Sequence, residues 1–167
     1  QNRIGINTGS MVTGNMGSAM RMNYTMMGDT VNLAARLEAS AKQYGVYIQV
    51  AEETYKACKD QFIWRDLDYV VVMGKSEPAQ VYELIDEVGK MPKGYNNLLK
   101  TYHEALGLYK KQEWKKALEA FKASDELEDM FPGRKTNPSR IYIPRCEFYL
   151  ENPPGDDWNG SWALTSK

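Results

Sequence analysis

At 167 residues the chain can hold one ordinary domain, or a small domain with an appendage. Hydrophobic residues make up 43% and charged residues 26%, a globular balance, and 21 basic against 22 acidic residues leave a net charge of −1. No basic excess points to nucleic acid or an anionic membrane as the main partner, and no apolar run nears the ~20 residues that cross a bilayer.

The chain starts in a strand pattern with no initiator Met, which reads as a piece of a longer protein. Ile4, Ile6 and Thr8 alternate with Gly5 and Asn7 as a strand does. Gly9-Ser10 signals a turn and Met11 to Gly17 a second strand, so the two are expected to form a hairpin. Glycines at 5, 9, 14 and 17 raise the question of phosphate binding, but neither a P-loop nor a dinucleotide fingerprint is present. Tyr24 to Met27 is expected to extend the sheet. Asp29 or Thr30 is the expected cap of the next helix. Leu33, Leu37, Ala41 and Tyr44 mark that helix's buried stripe, and Gly45 its left-handed end.

Asn32 and Arg36 lie four residues apart on the same helix, so their side chains share a face. An amide and a guanidinium projecting together beside a Gly turn suit a sugar and a phosphate. Spacing alone favours the plainer reading, the solvated face of an amphipathic helix.

Val46 to Val50 reads as a short strand and Glu52 to Cys58 as a short helix. Phe62 to Met73 reads as one long strand or a tight hairpin, Gly74 to Pro78 as a loop, and Gln80 to Ile85 as a last strand. This alternation indicates a mixed α/β domain. Beyond Gly89 the character changes. Leu98, Leu99, Tyr102, Leu106 and Tyr109 form one helical stripe, and Trp114, Ala117, Leu118 and Phe121 another, an αα-hairpin. Ala105, Ala117 and Phe121 match part of one tetratricopeptide repeat, which alone builds no solenoid. Asn137-Pro138 is a helix start. The irregular tail, with Trp158 and Trp162, is expected to pack back on the protein. His103 is the only histidine and reads as a helix-surface residue; Cys58 and Cys146 read as buried thiols, a disulfide remaining open.

Arg3 to Gly9, Gly14 to Ser18 and Asn23 to Glu38, then Gly74 to Pro78 and Val81 to Leu84, closely resemble the second half of a bacterial class III adenylyl cyclase catalytic domain. The helical extension and tail resemble the segment C-terminal to that domain in a subset of members. The resemblance implies an α/β (α+β), partial ferredoxin-like cyclase domain at residues 1–88, lacking its first strands. A helical, tetratricopeptide-like extension at 89–151 and a tail at 152–167 complete the expected layout.

It implies that ATP is cyclised to 3′,5′-cyclic AMP with release of pyrophosphate, with guanylyl cyclase activity or a non-catalytic module as alternatives. Asn32 would orient the ribose, Arg36 would stabilise charge on the α-phosphoryl oxygens, and Thr25 would face the base. Lys75 would meet the triphosphate, since Met73 stands near where the family often has a Lys. Mg2+ or Mn2+ would be held by aspartates upstream of this chain. A second protomer would complete each site in a cytoplasmic homodimer, and this chain alone would be inactive.

Overall fold

The structure, a computed structural model, describes residues 2–18, 20–70, 79–128 and 134–162. Met73 and Lys75, with the loop around them, lie outside the described residues. In chain order the elements are β1 (Ile4–Ile6), β2 (Val12–Ser18), β3 (Arg21–Met27), α1 (Asp29–Tyr44), β4 (Ile48–Ala51), α2 (Glu52–Cys58), β5 (Phe62–Val70), β6 (Ala79–Glu87), α3 (Tyr95–Lys110), α4 (Trp114–Leu127) and α5 (Pro138–Glu151). The α+β class expected from the sequence is what the chain adopts.

The expected hairpin of the first two strands is not formed. β1 instead pairs in parallel with β4, in a four-stranded sheet of order β1-β4-β6-β5. β2 pairs with β3, Gly14 opposite Thr25, in a hairpin apart from that sheet. Strand pattern reports which face is apolar but not which strand lies alongside, and a parallel partner is reached only across a helix. Within the run after Gln61, Phe62–Val70 is one strand, β5, antiparallel to β6, and positions 71–73 lie outside the described residues. Its register shifts between Asp66 and Asp68, leaving Leu67 without a ladder partner. That bulge breaks the alternation of faces, so Leu67 and Asp68 are both buried.

The core has two centres. Leu37, Ala41 and Tyr44 from α1 pack with Val46, Ala51, Leu67 and Val81, and Ile141 of α5 lies against them. The α1 stripe is as the spacing predicts, with Leu33 only partly buried. In the second centre Tyr102, Tyr109, Phe121, Tyr142 and Tyr149 pack across α3, α4 and α5, and Trp158 and Trp162 of the tail return onto them. Both cysteines are free thiols, Cys146 buried and Cys58 partly so. Burial pushes the Cys146 thiol up to about 12.

Ionic contacts join the helices to the sheet. Arg65 of β5 is fully buried; its Nε donates to Glu83 of β6 at 2.8 Å and its Nη1 to Glu128, just past α4. Arg134 donates to the other oxygen of Glu83 at 2.9 Å. His103 is more than a surface residue: its Nε2 accepts the backbone N–H of Asp66 at 3.2 Å, although the side chain is 40% exposed. Among the described residues no helix is long and apolar enough to cross a membrane.

Candidate functional site

α1 begins without the expected side-chain cap. Gly28 takes the N-cap position, and Asp29 is the first helical residue, where its charge faces the positive end of the helix dipole. Gly28 sits at φ 148° and ψ 160°, a region essentially confined to glycine. Its carbonyl accepts the N–H groups of Val31 and Asn32, both at 3.1 Å. The chain thus turns from β3 into α1 at one residue, and the backbone of Asn32 closes the first turn.

β1 fixes where that helix lies. A Cβ on Gly5 would stand 2.1 Å from the Ala34 carbonyl oxygen and 2.4 Å from the Glu38 nitrogen, so α1 crosses β1 in direct backbone contact. Just past β1, Asn7 Nδ2 donates to the Thr30 carbonyl at 3.1 Å and secures the first turn. Gly5 and Asn7 were legible as a strand pattern, but their role in seating α1 was not.

Asn32 and Arg36 are both exposed on α1, one turn apart, while Leu37, Ala41 and Tyr44 face the core. Thr25 is exposed on β3, shortly before the Gly28 turn. The three residues therefore lie on consecutive elements joined by that turn, open to solvent. Lys75 is outside the described residues and is not brought into this arrangement. No group of three or more His, Cys, Asp or Glu among the described residues could hold a metal ion.

Residues 1–86 match the sequence profile of the adenylate and guanylate cyclase catalytic domain. The chain belongs to that family. A Dictyostelium discoideum protein named adenylate cyclase, terminal-differentiation specific, is 38% identical over 152 residues, 86% of this chain and 7% of that relative. Adenylate cyclase 1 of Rhizobium meliloti is 40% identical over 86 residues, 52% of this chain and 13% of that relative. The cyclase chain thus spans 7% and 13% of the lengths of these two relatives. The match of 152 residues is longer than the catalytic-domain match, so it takes in part of the helical extension. Among solved structures, an adenylyl cyclase from P. aeruginosa is 41% identical, covering 50% of this chain and 42% of that one at a TM-score of 0.43.

Proposed function

We propose that this chain is one side of an adenylyl cyclase site within a longer protein, the side that holds ribose and α-phosphate. The observation that carries this reading is the Asn32–Arg36 pair, exposed together on a helix seated by Gly5 and begun by Gly28, inside a cyclase catalytic domain. Asn32 can both donate to and accept from a ribose hydroxyl. The Arg36 guanidinium is a permanent, multi-donor charge suited to phosphoryl oxygens. As the ribose 3′-oxygen bonds to the α-phosphorus and pyrophosphate departs, negative charge grows on those oxygens, and Arg36 stabilises it. Thr25 is assigned to the base and Lys75 to the triphosphate.

The reading assigns the Mg2+ or Mn2+ ligands to aspartates upstream of this chain, with a second protomer closing the site in a cytoplasmic homodimer. Residues 1–88 form the catalytic part of this proposal, 89–151 its helical extension and 152–167 its tail. A second reading, GTP as substrate, draws on the Thr25 hydroxyl, which donates or accepts and reads a base loosely. Rates with ATP and GTP in competition separate the two.

The test is turnover of ATP by the longer protein. Arg36→Ala should lower kcat several hundredfold, about 3–4 kcal/mol, by analogy with removing a preorganised oxyanion donor. Asn32→Ala should lower kcat as well. Unchanged turnover in Arg36→Ala would remove the basis of the proposal.

A further inference from the structure

Asp68 is a buried carboxylate at the bulge of β5, and donors from two helices converge on it. Tyr44, the last residue of α1, donates its hydroxyl to Oδ2 at 2.7 Å. Arg145 of α5 donates Nη1 to the same oxygen at 2.7 Å. Tyr142 of α5 reaches Oδ1 at 3.4 Å while donating to the Leu67 carbonyl at 2.5 Å. Oδ1 also accepts the backbone N–H of Tyr69 at 2.8 Å.

The side chains of Asp68 and Arg145 are 4% and 9% exposed. Burial works against the Arg145 charge, but the Asp68 carboxylate outweighs it and holds the guanidinium above its ordinary pKa. Burial first, then the Asp68 charge, pushes the Tyr44 hydroxyl well up, so it stays a donor.

We infer that Asp68, gripped by Tyr44 and Arg145, is the joint through which the helical extension sets the tilt of α1 and therefore the placement of Asn32 relative to Arg36. This rests on the cyclase reading of those two residues. α1 runs 16 residues with no Gly or Pro inside it, so it transmits displacement as a rod. Its midpoint is pinned where Gly5 meets Ala34 and Glu38, which makes that crossing a fulcrum. Tyr44 lies eight residues beyond Arg36, roughly 12 Å along the axis. A shift of α5 that moves Arg145 pulls Asp68 and Tyr44 with it, and the far arm of the rod carries Asn32. Tyr44, Asp68 and Arg145 are thus positioning residues for a site they do not touch.

The decisive comparison uses three variants of the longer protein. Tyr44→Phe keeps the ring in the core and removes only the hydroxyl. Arg145→Met removes the charge from α5. Glu128→Gln weakens a different ionic contact between the helical extension and the sheet, at Arg65, without touching α1. Two quantities are read: amide hydrogen exchange across residues 29–44, and kcat and KM for the nucleotide.

Tyr44→Phe and Arg145→Met should speed exchange in α1 and lower kcat by about tenfold to a hundredfold, the scale of an ångström misplacement, with KM within about twofold. Glu128→Gln should leave α1 exchange and kcat near wild type. Unmoved α1 exchange in Tyr44→Phe and Arg145→Met overturns the joint, as do equal shifts in all three variants, which would indicate general loosening. If the wild-type protein forms no cyclic nucleotide, the functional reading fails, and α1 exchange alone decides the joint.

Discussion

The two ends of this chain's α/β part are finished to different degrees. Where β5 and β6 meet the helices, each of Arg65, Glu83 and Asp68 is buried with a charged partner across the junction. At the β2–β3 hairpin every residue of β3 is exposed, and Met22, Tyr24 and Met26 are 62%, 73% and 52% exposed. A buried charge costs several kcal/mol unless it is paired, so the sheet is built to keep the helical extension. Among the described residues the apolar side chains of this hairpin have no such satisfaction. That contrast agrees with the proposal that the hairpin side, and with it the Asn32–Arg36 pair, is completed by further protein. The extension is then part of the working unit, and the hairpin is its open side.

Breaking the finished side should have the largest effect. Arg145→Met leaves the Asp68 carboxylate buried without its cation and should cost about 3–5 kcal/mol, read from urea unfolding. Gly5→Ala drives a methyl into the Ala34 carbonyl and should cost about 1–3 kcal/mol, with α1 displaced from β1. On the open side, Met22→Lys should change the stability of the isolated chain by no more than about 0.5 kcal/mol. The same substitution weakening self-association of the longer protein in sedimentation would sharpen the contrast.

A pH effect should be the smallest. Burial lowers the His103 pKa; the Asp66 charge opposes it in part, and the Arg65 and Lys110 charges add smaller lowering effects. Since the folded pKa lies below the ordinary value of about 6.5, the unfolded chain binds the proton more readily as pH falls. Stability is then full above about pH 6.5 and declines as pH drops toward the lowered folded value. Protonation also takes Nε2 from the Asp66 N–H it accepts. His103→Gln should flatten this part of the pH–stability profile in thermal unfolding.

The helices were the most legible part of the fold. The 3.6-residue spacing of Leu37, Ala41 and Tyr44 set the buried face of α1, and Asn137-Pro138 set the start of α5: Asn137 accepts the Arg140 N–H at 3.0 Å. The β1–β4 pairing was not legible, because a parallel neighbour leaves no local turn signal. Glycine at position 28 took the cap expected of Asp29 or Thr30 because the chain needs a conformation they cannot adopt cheaply. Thr25, Asn32 and Arg36 are proposed from their order and context; the spacing of Asn32 and Arg36 alone describes an ordinary polar face. The Asp68 joint was hidden for another reason. Its partners are 24 and 77 residues away, and only the bulge at Leu67 turns that carboxylate inward.

The most direct measurement is cyclic AMP formed from ATP and Mn2+ by the longer protein and by the 167-residue chain alone. Turnover is expected of the longer protein and none of the isolated chain, to which the proposal assigns only the ribose and phosphate side. Turnover by the isolated chain would contradict a one-sided site, and an inert longer protein would contradict the cyclase reading itself.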